Sequence, residues 1–519
     1  MSIDKIITLD LNGKSIKAGE RMTTNIKVYS SGSLTLEDSS SDGNGRIYTE
    51  DAYVNVDNGY GIIRVFGVFI MNSGKVEAVI ESDPQNKGQF GIGVGTNGKV
   101  TINGGEIKAG WFAVSNNAND SGSEITVNGG TLISTADYAI YNPGKSSSLT
   151  INGGTIYGEA GGIAMFQGSL HVIDGKITSK GKGDTGEWGD GTGFLSNAAL
   201  YVGTSKSGYG NVSAIIEGGL FTAEGNAVVL NSANGKYSIK LELKGGSFSS
   251  DPSEYVAEGY VAENKDYSYV VRALKDNDVA VVDGVVYSSL AKAIENAASN
   301  SIIRLLRDAS GDGIESRDSG KASYRDGLTI DFSGHTYTMT DSSVGSEGEE
   351  NKTQAMHWGD SLGFVVLKNG KFKVGSALTS DGRHIIAMQN YVNFTAEDME
   401  FDFESIEVGY YPKFDKNHFN YPDYAEKEIP LFNNNKGMML LVGCTVKMPF
   451  DSTKGISADG DGVTLKDTVV DGYVNLKDSN SKLMTIGSSS VKGVVSYFGN
   501  GAVKEESSDG VTTYTLTLE

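Results

Sequence analysis

The sequence predicts an all-β protein, a right-handed parallel β-helix in two tandem modules, and three observations predict it. One short phrase recurs: Val100-Thr-Ile-Asn-Gly-Gly-Glu-Ile107, Ile125-Thr-Val-Asn-Gly-Gly-Thr-Leu132, Leu149-Thr-Ile-Asn-Gly-Gly-Thr-Ile156 and Leu170-His-Val-Ile-Asp-Gly-Lys-Ile177. Taking Gly104, Gly129, Gly153 and Asp174 as equivalent gives spacings of 25, 24 and 21 residues, and a fixed period of this order marks a solenoid. Each period holds runs too short for helices, such as Tyr138-Ala-Ile-Tyr141, punctuated by Gly, Asn, Ser or Pro. The chain also carries 69 Gly against 7 Pro, a turn-rich composition with little of helical period. Three strands and three turns make one rung, and stacked rungs pair each strand in parallel with its counterpart.

The Asn-Gly-Gly triplet reads as a turn former. Gly and Asn adopt positive φ cheaply, and Gly lets successive backbones stack closely.

Taken in order, Ile7-Thr-Leu-Asp-Leu-Asn-Gly-Lys-Ser15 is a strand and turn that returns as Leu328-Thr-Ile-Asp-Phe-Ser-Gly-His-Thr336, so that Leu9 aligns with Ile330. This places two related modules at 1–279 and 280–519, stacked or joined at a helix-bearing junction. From 17 to 100 the rungs are irregular, though Gly32-Ser-Leu-Thr-Leu36 and Phe69-Ile-Met-Asn-Ser-Gly-Lys-Val76 fit the plan. A polar loop at 181–193, carrying Asp184, Glu187, Trp188 and Asp190, interrupts the repeat. The segment 251–271 leaves the rung pattern and reads as a closing piece.

Next comes the one helix predicted, at 288–298. Leu290 and Ile294 lie one turn apart, and Ser288 or Ser289 can cap the N-terminus. Such a helix commonly covers the open end of a solenoid core. Module two continues with Phe364-Val-Val-Leu367, Met439-Leu-Leu-Val442 and Val463-Thr-Leu465, and it ends in Gly510-Val-Thr-Thr-Tyr-Thr-Leu-Thr-Leu518, an echo of the close of module one.

The formal charge of −21 repels a phosphate backbone or an anionic membrane, which argues against a nucleic-acid partner. The N-terminal residues do not resemble a secretion signal, and no stretch approaches the apolar length of a membrane span, so no membrane insertion is expected. The single cysteine, Cys444, lies in the apolar run Met438-Met-Leu-Leu-Val-Gly-Cys444 and reads as a small buried hydrophobe.

Three stretches resemble the β-helical, pectate-lyase-like modules of large surface proteins of gut Gram-positive bacteria. They are Tyr287-Ser-Ser-Leu-Ala-Lys-Ala-Ile294 with Ile303-Arg-Leu-Leu306, the strand Asp331-Phe-Ser-Gly334, and Gly245-Gly-Ser-Phe-Ser-Ser250 with Tyr255-Val-Ala-Glu-Gly-Tyr260. The resemblance implies a non-enzymatic adhesin displayed at the cell surface or outside the cell, with a glycan or a surface protein as partner. The chain departs from it in two ways. Module one lacks a counterpart of 281–327, and no sorting motif follows Glu519. A phage fibre or decoration protein on a virion would look similar, and as a fibre the chain would be a homo-oligomer, a trimer.

Catalysis has to be argued from a site. A β-helix lyase needs clustered carboxylates for Ca²⁺ with a basic residue, and a hydrolase needs paired acids. Neither appears as a motif, and a polysaccharide lyase or glycoside hydrolase is the competing expectation. Asp459 and Asp461, in Asp459-Gly-Asp-Gly462, are the nearest acidic cluster, able to take Ca²⁺ but also an ordinary turn; no other cofactor is expected. His171, His335, His357, His384 and His418 are scattered without ligand spacing. Binding is better supported, because sugar rings stack on aromatic faces while acids and amides take their hydroxyls. Trp188 and the aromatic insertion with Tyr410, Tyr411, Phe414, His418, Phe419, Tyr421 and Tyr424 offer that mixture. The same aromatics could instead glue the insertion to the solenoid wall.

Overall fold

The structure, a computed structural model, describes residues 1–519 except 19–23, 50–60, 79–89, 117–118, 182–183, 189–192, 205–209, 233–236, 317–325, 346–353, 360–362, 376–385, 406–431, 435, 449–454, 459–460, 497–500 and 519. The chain divides into two compact units, Met1–Leu274 and Lys275–Glu519. Each is a solenoid-like stack of parallel strands.

In unit 1 the strands recur in a fixed order on three faces. The first face runs from Ser2–Ile3 through Val114–Asn116 and Tyr138–Asn142 to Val228–Ser232. The second runs from Ile6–Asp10 through Glu124–Val127 and Ser148–Ile151 to Ile239–Leu243, and the third from Ser15–Lys17 to Ser247–Phe248. Register follows the recurring phrase: Val100 opposes Ile125, and Ile125 opposes Leu149. The alternate residues therefore stack as columns. Ile102, Val127, Ile151, Val172, Ile216 and Leu243 form one; Ile107, Leu132, Ile156, Ile177, Phe221 and Phe248 form another, and all are fully buried. Burying one such side chain is worth about 1.5–3 kcal/mol. At the end of the second column Phe221 and Phe248 stack at 4.9 Å.

The Asn-Gly-Gly corner between the second and third faces divides its labour. The second glycine takes the left-handed backbone, with φ of +82° at Gly105, +81° at Gly130 and +89° at Gly154. The first permits close approach, since a Cβ on Gly129 would stand 2.7 Å from the carbonyl oxygen of Asn103. The asparagine is not at positive φ. It builds an exposed amide ladder, Asn103 Nδ2 donating to Asn72 Oδ1 at 2.9 Å, Asn128 to Asn103 at 2.8 Å and Asn152 to Asn128 at 2.7 Å.

Unit 1 closes as its sequence departs from the rung pattern. Tyr260–Lys265 and Ser268–Ala273 form an antiparallel hairpin that pairs with Ser247–Phe248. Unit 2 closes alike: Gly501–Ser508 and Val511–Leu518 form a hairpin paired antiparallel with Lys482–Ile486.

Unit 2 repeats the three-face plan. Its second-face strands include Gly327–Asp331 and Met439–Val442, its first-face strands Ile314–Ser316, Gln354–Trp358, Ile386–Asn390, Phe432–Asn434 and Ile456–Ala458. The alignment of Leu9 with Ile330 is matched by the turns that follow. Asp10 accepts from the N–H of Asn12 and Asp331 from that of Ser333, each ahead of a left-handed pair, +41° and +72° at Asn12 and Gly13, +51° and +84° at Ser333 and Gly334. The predicted helix is Leu290–Asn296, α1. The Ser289 hydroxyl accepts from the N–H of Lys292, and Leu290, Ala293 and Ile294 are buried in the unit 2 core against Ile302–Leu305 and Ile314–Ser316. No helix among the described residues is long and apolar enough to cross a membrane.

Candidate functional site: the first face

Two features set the first face apart in both units. The first is where the long connections fall. In unit 2 the chain passes the corner between the second and third faces inside single strands, Phe364–Val374 and Asn393–Asp402. The connections from Met339 to Gln354, Val374 to Ile386, Asp402 to Phe432 and Lys447 to Ile456 all lead into the first face. In unit 1 those from Tyr48 to Ile63, Ala78 to Ile92 and Ser179 to Ala198 do the same. In a solenoid, insertions gathered on one face commonly serve binding.

The second feature is burial of side chains on the outer side. On the second face the outward Thr101, Thr126 and Thr150 are half-buried, as expected of a surface strand. On the first face of unit 2 the outward column Glu315, His357, Gln389, Ser457 and Asn475 is continuous in register with only Asn433 intervening. Its alternates Met356, Trp358, Met388, Ile456 and Val474 lie in the core. Yet His357 is 9% exposed, Gln389 7%, Ser457 2% and Asn475 0%. Glu315 Oε2 accepts from the N–H of Gly345, and the His357 ring lies 5.8 Å from that of Tyr391. Among the described residues, neither polar atom of the buried Asn475 amide has a hydrogen-bond partner. Leaving such a group unsatisfied costs about 1–3 kcal/mol.

The same face of unit 1 has a different outer layer. Phe90, Trp111, Phe112, Tyr141, Phe166 and Tyr201 make a chain of ring contacts, Trp111 on Phe112 at 5.0 Å, Phe112 on Tyr141 at 4.6 Å, Tyr141 on Phe166 at 5.3 Å and Phe166 on Tyr201 at 5.8 Å. Most of these rings are buried. Beside them Arg64 meets Asp120 at 2.7 Å, both screened from solvent, and Thr96 donates its N–H and hydroxyl to the second carboxylate oxygen. This layer is aromatic and ion-paired where unit 2 is polar.

Tyr410, Tyr411, Phe414, His418, Phe419, Tyr421 and Tyr424, with His384 and Asp459, lie outside the described residues. The insertion bearing the aromatics is anchored by Asn393–Asp402 and Phe432–Asn434, the latter a first-face strand. The Trp188 loop is anchored similarly: Asp184–Trp188 pairs antiparallel with Gly193–Ser196, and the chain then enters first-face strand Ala198–Thr204. Each predicted insertion thus leads into the first face of its own unit. Asp461 sits in an exposed turn, its N–H donating to Gly437 O. Among the described residues no group of three His, Cys, Asp or Glu is placed to hold a metal ion.

His171 is half-buried on the second face, 2.9 Å from Glu217, and His335 stands 3.7 Å from Asp308; neither joins His357. Cys444 is buried, and burial pushes its thiol up to about 11. Sequence reasoning missed Gln389, Ser457, Asn475 and the ring chain of unit 1. Their signal was present in strands that do not alternate, such as Tyr138–Asn142 and Gln354–Trp358, buried at every position where Glu124–Val127 is buried at every second one. The chain matches no protein family, no curated protein and no solved structure.

Proposed function

We propose that this chain is a non-enzymatic binding protein that displays the first face of its solenoids to a glycan, at a bacterial cell surface or on a virus particle. The observation that carries the reading is the convergence, in both units, of the long connections on a face whose outer side chains are screened from solvent. The outward column of unit 2 fits a neutral, hydroxyl-rich ligand. His, Gln, Ser and Asn supply donors and acceptors, Glu315 is its single carboxylate, and a chain of −21 repels a polyanion. One carboxylate does not supply the two acids that glycoside hydrolysis uses. Rungs about 4.8 Å apart set these groups in a regular line along the solenoid. We take each coil as right-handed, the hand of nearly all parallel crossovers.

The test is binding of the full chain to immobilised neutral polysaccharides, beside the chain lacking 409–424. Saturable binding by the full chain, weakened by the deletion with the fold intact, is the expected result. Steady release of reducing or unsaturated ends from any polysaccharide would replace the reading with a catalytic one.

A further inference from the structure

Three two-residue hairpin turns in this chain share one backbone. Asp266 and Tyr267 take φ of +45° and +76°, Asp283 and Gly284 +51° and +75°, Asp509 and Gly510 +53° and +77°. Each joins directly paired strands, Lys265 with Ser268, Val282 with Val285 and Ser508 with Val511. Two successive positive φ values define the type I′ turn, whose second place is held by glycine because a side chain there is strained. Two of the three turns obey this. The third, at the tip of the hairpin that closes unit 1, places a tyrosine there, and for so bulky a residue positive φ is a true outlier.

Packing does not account for the choice, because Tyr267 is 101% exposed. A lone exposed ring needs no explanation by itself, but one kept in a strained backbone that glycine fills elsewhere in the same chain does. Its surroundings indicate what it meets. Asn264, Lys265 and Asp266 are exposed beside it, with Lys265 held by Glu263 at 2.9 Å. Protein hot spots sit at the centre of a broad packed patch, which this tip lacks. One flat exposed ring offers a stacking face to a single saccharide ring, and the exposed Asn264 and Asp266, near it in the chain, carry groups able to take hydroxyls.

We propose that the tip of hairpin Tyr260–Lys265 and Ser268–Ala273 is a contact site for a neutral saccharide, with Tyr267 stacking on the sugar and Asn264 and Asp266 taking its hydroxyls. This rests on the glycan-binding reading and adds a contact remote in sequence from the polar column of unit 2. The test uses the full chain on immobilised unsubstituted glucans, mannans and galactans, with polygalacturonate as charged control. Tyr267→Gly and Tyr267→Asn both accept positive φ, and each is expected to weaken binding about tenfold, the scale of one lost stacking contact. Tyr267→Trp is expected to bind within about twofold of wild type. Tyr267→Gly is also expected to raise the unfolding midpoint by about 2 °C as strain is relieved.

Binding by Tyr267→Gly and Tyr267→Asn equal to wild type, or a lower midpoint for Tyr267→Gly, overturns the proposal. If wild type binds a neutral glycan, Gln389→Ala weakens it and the Tyr267 variants do not, this site falls while the first-face reading stands. If wild type binds no neutral glycan, both fall.

Discussion

At the scale of single residues the repeat is held by what glycine lacks. A Cβ on Gly154 would meet the carbonyl oxygen of Gly130 at 2.9 Å, and φ there is +89°. Gly259 also has positive φ, +81°, but open space around it. Gly154→Ala should therefore cost more than Gly259→Ala, with backbone strain alone giving about 1–3 kcal/mol at each and the clash adding to the first. Urea unfolding midpoints measure the difference, and equal costs would remove close stacking from the account. The Asn-Gly-Gly triplet was legible as a turn, but the ladder of Asn103, Asn128 and Asn152 was not, since a side-chain amide bond between rungs depends on register.

Acid addresses another residue. Asp38 accepts from the N–H of Gly13 at 2.7 Å, and that bond chiefly, opposed by burial and aided by Ser40 and Gly45, holds its carboxyl down at about 2. A depressed carboxylate contributes stability that is present above its unfolded value, 3.8, and lost as pH falls through about 2. Amide protection, taken relative to the intrinsic exchange rate, should fall in Ser33–Glu37 and Arg46–Tyr48 across that window, and Asp38→Asn should flatten the response. Cys444 should resist alkylation at pH 8 until the chain is unfolded, because its thiol is both buried and protonated there.

At the scale of elements, α1 was readable because its signals are local. Ser289 caps, Leu290 and Ile294 lie on one side, and the structure uses them so. Ser289→Ala should lower stability by about 1 kcal/mol and Leu290→Ala by about 2–5 kcal/mol, as read by thermal unfolding. A larger effect from the cap than from Leu290 would mean that the helix is not held by its apolar side. The strands were legible too, from short Val, Ile and Thr runs between glycines. Their face was less so: alternation in Glu124–Val127 shows which side is core, whereas Tyr138–Asn142 and Gln354–Trp358 show only that both sides are buried. What buries the outer side comes from segments distant in sequence, so the first face emerges only once the rungs are stacked.

At the scale of the whole molecule, the two units share a three-face plan, matching Asx turns after Asp10 and Asp331, and antiparallel closing hairpins, yet their first faces differ. Unit 1 carries an aromatic chain with the Arg64–Asp120 pair, and unit 2 the polar column ending at the unsatisfied Asn475. Similar frames with unlike outer layers suit a scaffold whose specificity is set by what stands on one face. Hydrogen–deuterium exchange of the full chain with and without a bound neutral glycan tests this most directly. The account predicts added protection in first-face strands such as Gln354–Trp358, Ile386–Asn390 and Ile456–Ala458 and in the connections that enter them. Protection centred instead on second-face strands such as Gly327–Asp331 and Met439–Val442 would contradict it.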